Sequence, residues 1–321
     1  MKKWFMSLED KQKTNVIMVS WAGTIMFCLL AIVVSLFAYV FVAGLVISIL
    51  FTRWKSSKDA HQEPHPYVAS VETAEDQEIK KRREEFLQRQ LKEARDELAS
   101  LPRYPITISK DRRKRKTGYV EPIFSNITAK GKYNEFVVFD TETTGLAPSR
   151  DRIIELAAIR FVGGVPTEIF ESFINPEKPI PQEASAVNHI TDDMVAEAPT
   201  ISQILPAFEA FVGGSPLIAH NLSFDLKFIY YSGSTLMDSP RKYFDTLTIA
   251  RKMLKKPKSK YDEEFEMWET DYDSDFDVYD HKLETLAQYY GITFPGKHRA
   301  AADAMVTGKL FLNLISDKQQ L

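Results

Sequence analysis

Residues 136–146 read FVVFDTETTGL. Phe136, Val137, Val138 and Phe139 are β-branched or aromatic, and Thr143-Thr144-Gly145 closes the run. The stretch predicts a buried strand running into a turn. Asp140 and Glu142 stand two apart at its end. On an extended backbone, side chains at i and i+2 share a face. The two carboxylates are therefore presented side by side, and neither can be buried ionised without a partner. A hard divalent cation is the cheapest such partner. A bare D-x-E reads equally as two solvated acids, so the decision rests on the polar residues further along the chain.

Downstream, Ile153 to Gly164 predicts a strand ending in a Gly-Gly hairpin turn, with Glu168 to Ile174 as the returning strand. Ile201 to Val212 reads as a helix, and Pro216 to Ala219 as a short strand. Tyr243 to Thr246 leads into a helix over Leu247 to Leu254. Further helices are expected at Leu283 to Tyr290 and from Arg299 to Ile315. A hairpin first, then strands alternating with helices, predicts an α/β domain with a mixed sheet flanked by helices.

Two further stretches carry polar residues in suggestive places. In HNLSFD, His220 to Asp225, Asn221 predicts an N-cap, and Asp225 falls in the first turns of the helix it opens. Phe224 and Phe228, four apart, share its core face. In HRAAAD, His298 and Asp303 are five residues apart, about 140° around one helix. They converge only if His298 lies on the loop before that helix, which Pro295-Gly296 favours.

The blocks FDTETTGL, HNLSFD and HRAAAD, in this order over roughly Tyr133 to Ile315, resemble the DEDDh family of 3′-to-5′ exonucleases. That family includes the epsilon proofreading subunit of bacterial DNA polymerase III. The resemblance implies a ribonuclease-H-like fold and two bound divalent ions, Mg²⁺ or Mn²⁺. It implies Asp140, Glu142, Asp225 and Asp303 as metal ligands and His298 as general base. It also implies that Thr143, Thr144, Gly145 and Leu146 contact the terminal nucleotide, with Asn221 and Phe224 as further substrate-binding candidates. The expected substrate is a single-stranded DNA 3′ end. An RNA exonuclease is the nearest alternative, and a catalytically silent membrane scaffold the alternative of another class.

The sequence departs from the family pattern in three places. Where H-G-I-T is usual, this chain has Asn188-His189-Ile190-Thr191, which removes the glycine. Tyr261 to Asp280 is an insertion with ten Asp and Glu, read as a solvated acidic loop. The third departure is everything before Lys132.

Charge divides the chain there. Residues 1–131 carry 22 Lys and Arg against 15 Asp and Glu, and the rest carries 19 against 29. Val16 to Phe51 is 36 residues without a charge, preceded by Lys2, Lys3, Lys11 and Lys13 and followed by Arg53, Lys55 and Lys58. One or two transmembrane helices are expected, with the catalytic part on the cytoplasmic side. Glu72 to Ser100 predicts a charged amphipathic helix with Leu87, Leu91, Ala94 and Leu98 on one stripe. Lys110 to Lys116, six basic residues in seven, suggests a partner that is anionic lipid or nucleic acid. The expected division is an anchor over 1–55, a linker with charged helix and basic run over 56–131, and an exonuclease domain over 132–321. Cys28 is the only cysteine, so an intrachain disulfide is excluded.

Overall fold

A computed structural model describes residues 74–110, 112–263, 265–296 and 298–320. The apolar run Val16 to Phe51 lies outside the described residues. Among those that are described, no helix is long and apolar enough to cross a membrane. The chain divides into two units, Met1–Glu78 and Ile79–Leu321.

The centre of the second unit is a five-stranded mixed sheet in the order β3-β2-β1-β4-β5. The strands are β1 (Glu135–Thr143), β2 (Ile153–Val162), β3 (Val165–Phe173), β4 (Leu217–Ala219) and β5 (Tyr243–Asp245). β1, β2 and β3 pair antiparallel, and β4 and β5 add in parallel to β1. The β2–β3 turn is Gly163-Gly164, with φ of 61° and 84°. Two adjacent residues at positive φ are what a tight two-residue hairpin requires, and glycine adopts them without strain.

Alternation along β1 sends its side chains to two different cores. Phe136 and Val138 pack with α8 (Ala300–Gln320), and with parts of α6 (Thr246–Met253) and α7 (Leu283–Tyr289). Val137 and Phe139 pack against α4 (Ile201–Val212) and α5 (Leu222–Tyr231). The strand is buried on both faces, which explains its unbroken apolar run. α8 lies close on the sheet: a Cβ added to Gly308 would meet the Phe161 ring at 2.3 Å. Two short helices, α2 (Gln182–Asn188) and α3 (Asp192–Val195), close one end over a small cluster of Ile154, Ile180, Ile190 and Val195.

The helix before the domain, α1 (Ala74–Ser100), packs by its last turns only. Ala94 is buried, Leu98 joins the α8 core, and Glu97 pairs with Lys309. Ile79, Phe86 and Leu87 remain exposed.

Residues 101–134 are not a solvated linker. They run as an extended strap over the domain. Tyr104 N donates to Ile169 O at 2.8 Å, Ser109 N to Gln203 O at 3.0 Å, and Ser125 N to Tyr243 O at 2.6 Å. The basic run Lys110 to Lys116 spends cations on the domain itself. Arg113 pairs with Glu209 at 2.5 Å, and Lys116 with Asp238 at 2.9 Å. A cation already paired to a carboxylate has less to offer lipid or phosphate.

The acidic insertion also differs from a plain loop. Lys258–Asp262 (β6) and Met267–Asp271 (β7) form a two-stranded hairpin, with the Tyr261 and Trp268 rings edge-to-face at 5.5 Å. Cross-strand aromatic pairing holds what the acidic composition conceals.

Candidate active site

Asp140 and Glu142 follow Phe136 and Val138 at the same alternation, so they face α8. Asp303, in the first turn of α8, meets them there. Carboxylate oxygens of Asp140, Glu142 and Asp303 all lie within 4.8 Å of one another. Asp225 arrives from the other side of the strand. It is buried in the first turn of α5, and its Oδ1 accepts a 2.6 Å hydrogen bond from Thr141 Oγ1.

These acids repel one another in a low-dielectric setting. Burial, then the charges of Asp225, Asp303 and Glu142, hold Asp140 well above the usual carboxylate range. Burial and Asp303 push Glu142 up to about 8. Burial lifts Asp225 to about 7, against the hydrogen bond from Thr141. Acids so placed favour a cation, and the oxygen-only donor set suits a hard dication.

His298 lies just before α8, as the Pro295-Gly296 signal favoured, and lines the same cleft as Asp140 and Asp303. Its φ is 55°, a left-handed conformation. The next residue fixes it there. Arg299 grips the buried carboxylate of Glu155 through Nε at 3.1 Å and Nη2 at 2.7 Å, and Ala300 N donates to Glu155 Oε2 at 3.0 Å. Glu155 is Glu142's partner across the β1–β2 ladder. One buried acid therefore ties the start of α8 to β2, directly across the ladder from the strand that carries the D-x-E. Removing Arg299 strands that acid. We expect Arg299→Ala to cost about 3 kcal/mol in urea unfolding, the lower end of the range because Arg299 itself reaches solvent. A change under about 0.5 kcal/mol, the size of an ordinary surface substitution, would remove the pair from this role.

Asn221 does not cap α5 with its side chain. Its φ of 66° makes it left-handed, and Asp245 supplies the cap instead. Asp245 Oδ1 accepts from Asn221 N at 2.9 Å, Leu222 N at 3.3 Å and Leu247 N at 3.2 Å, so one carboxylate opens both α5 and α6. Phe224 is half-buried against Phe228, ring centroids 4.9 Å apart. The loop after β1 is closed on itself. Thr144 N donates to Arg152 O at 2.8 Å, and Arg152 N to Thr144 Oγ1 at 3.0 Å. Ala147 N donates to Asp151 Oδ2 at 2.9 Å, and Leu146 at the tip is 84% exposed.

His189 stands where the family pattern has glycine. Its φ of 59° is the conformation glycine adopts freely, and its N–H caps α2 on Ser185 O at 2.9 Å. The N–H is thereby occupied. The neighbouring Asn188 is buried, and its Nδ2 donates to Thr143 O at 3.5 Å, next to Glu142 in sequence, a contact that no sequence pattern marks.

The cleft holding Asp140, His298 and Asp303 measures about 1090 Å³. Arg251, Lys252, Lys255 and Lys256 line it. His220 lines it too, bonded between Thr246 Oγ1 at 2.9 Å and His281 O at 3.0 Å, so both ring nitrogens are already engaged.

The exonuclease family, of the RNase T type, matches residues 137–311, more than half of the chain and all of this site. The chain belongs to the exonuclease family. The matched stretch includes Asp140, Glu142, Asp225, His298 and Asp303. Curated relatives include the PolC-type DNA polymerase III of Caldanaerobacter subterraneus subsp. tengcongensis, 31% identical over 201 residues, 62% of this chain and 13% of that protein. The PolC-type DNA polymerase III of Oceanobacillus iheyensis is 36% identical over 198 residues, 60% and 12% respectively. The chain thus spans about an eighth of these relatives. Among solved structures it is similar to exonuclease X in complex with 5′ overhanging duplex DNA. That likeness has a TM-score of 0.42 and 24% identity, over 57% of this chain and 92% of that one.

Proposed function

We propose that the chain is a metal-dependent 3′-to-5′ exonuclease that releases nucleoside 5′-monophosphates from single-stranded DNA ends. The observation that carries this reading is the convergence of Asp140, Glu142 and Asp303 within 4.8 Å in a cleft shared with His298. Asp140, Glu142, Asp225 and Asp303 fit two divalent ions, Mg²⁺ or Mn²⁺. When bound, such ions neutralise the scissile phosphate, acidify a water and stabilise the leaving oxygen. His298 takes the proton of the attacking water, since a neutral imidazole nitrogen accepts one. Exposed Leu146, with Phe224 beyond it, offers the terminal base an apolar contact, while the closed Thr143–Leu146 loop holds the sugar end. Arg251, Lys252 and Lys256 along the cleft attract the backbone, while Lys255 is paired with Asp275 at 2.7 Å. DNA is preferred over RNA because the relatives over 30% identical are DNA polymerases. The uncharged run Val16 to Phe51 with basic flanks supports a membrane tether and a cytoplasm-facing catalytic unit.

Parallel digestion of 5′-labelled DNA and RNA oligomers tests the reading. Stepwise shortening of DNA with Mg²⁺ or Mn²⁺, and none with excess chelator, is expected. Shortening of RNA alone would move the substrate to RNA; full activity in chelator would overturn the metal reading.

A further inference from the structure

Two guanidiniums, Arg115 of the basic strap and Arg152 at the end of the loop after β1, stand without a carboxylate among the described residues. Arg115 Nη2 donates to Pro148 O at 2.5 Å and to Ser149 O at 3.3 Å. Arg152 Nη1 donates to Arg150 O at 2.8 Å and Asp151 O at 3.0 Å. Both side chains thus grip the carbonyls of the same loop, the one after β1. Among the described residues, no carboxylate contacts either of them. Their neighbours in the same pocket carry two further cations and one carboxylate, Glu177. Arg112 and Arg113 line the same pocket, of about 210 Å³, with Asn175, Thr200 and Ser202 as further polar groups. Arg113 is paired with Glu209, and Arg112 reaches Glu177 only at 3.8 Å. Partial burial and the adjacent Arg152 guanidinium lower the pKa of Arg115. Of the pocket's four guanidiniums, Arg113 is paired with Glu209 and Arg112 faces Glu177, so Arg115 and Arg152 carry the positive charge left for an anion to offset.

The position of the pair identifies the anion. Arg152 is hydrogen-bonded through its backbone to Thr144, two residues beyond Glu142. Two residues of extended chain cover only ~7 Å. The pair therefore sits on the loop that follows the D-x-E strand, within a few residues of the acidic cluster, in a pocket separate from the cleft. Guanidinium forks match phosphate oxygens in geometry as well as in charge.

We propose that Arg115 and Arg152 form a phosphate subsite that holds a backbone phosphodiester upstream of the scissile one. The subsite rests on the exonuclease reading and deepens it. Arg115 lies outside the part of the chain that the family matches, so the subsite is built by adding the strap to the family fold.

The test uses the full chain, with detergent present, and the variants Arg115→Gln and Arg152→Gln. Four readouts are taken: KM and kcat on a single-stranded DNA oligomer; hydrolysis of the p-nitrophenyl ester of thymidine 5′-monophosphate, which has one phosphodiester; oligomer binding in chelator across salt concentration; and binding to phosphatidylserine vesicles. Each variant is expected to raise KM several-fold with kcat and ester hydrolysis unchanged. The slope of log affinity against log salt should fall by about 0.7 per lost contact. Unchanged KM and slope would overturn the subsite. Equal losses on oligomer and ester would overturn it too, making the pair a support for the loop. Loss of binding to phosphatidylserine vesicles with oligomer binding intact would assign the pair to a membrane instead. If the wild type cleaves neither substrate, the exonuclease reading fails, while the binding arm still decides whether these arginines hold phosphate.

Discussion

Asp140→Ala is expected to cut hydrolysis to below about a thousandth of wild type, while leaving the metal-free domain as stable as before or more so. The rate loss should exceed the 10²–10³-fold typical of deleting one electrostatic donor, because the variant opens the whole acidic cluster. The stability follows from linkage. Glu142 is raised to about 8 in the folded protein, against 4.5 as a free carboxyl, and Asp225 to about 7 against 3.8. Between those values the unfolded chain has released protons that the folded one still holds. Stability of the metal-free protein therefore falls as pH rises from about 5 to 8. Asp140 repels both acids, so removing it relieves part of that penalty. Saturating Mn²⁺ should flatten the pH dependence in the wild type and raise its Tm, since ligand bound only to the folded state stabilises it. Thermal unfolding in chelator at several pH values, with and without Asp140→Ala, is the measurement. A wild-type Tm that climbs from pH 5 to 8 without metal would contradict the buried, mutually repelling acids.

The acids themselves were legible because strand alternation is local. Asp140 and Glu142 share a face with Phe136 and Val138 whatever lies opposite, the hairpin follows from Gly163-Gly164, and the mixed sheet flanked by helices follows from the alternation of strands with helices. What the sequence did not display was pairing between distant segments. Glu155 and Ala300 are 145 residues apart, yet their hydrogen bond sets the start of α8 and hence the place of His298. Asp245 caps a helix that Asn221 was expected to cap, because the capping rule reads only adjacent residues. The basic run Lys110 to Lys116 reads as free charge by composition. Glu209 and Asp238, which occupy two of its cations, come about a hundred residues later. Tyr261 to Asp280 reads as loop because its acids dominate, while the Tyr261–Trp268 contact that pairs its strands is visible only across the turn.

His298 is the residue whose function depends most on that hidden scaffold. It stands at φ 55° between Pro295-Gly296 and the anchored Arg299, lining the cleft with Asp140 and Asp303. As general base it must remove a proton in the reaction without holding metal. Replacement should then lower the single-turnover rate about 10²–10⁴-fold, the usual share of a positioned base. His298→Asn is the informative variant. Asparagine tolerates the left-handed backbone better than alanine does, so loss of strain or order at the start of α8 does not confuse the result. Mn²⁺ affinity, read by titration, should stay near wild type in His298→Asn and fall sharply in Asp303→Ala. A variant with normal rate would take His298 out of the mechanism. One that loses Mn²⁺ as completely as Asp303→Ala would make the imidazole a ligand, and the proton would then need another acceptor within the cleft.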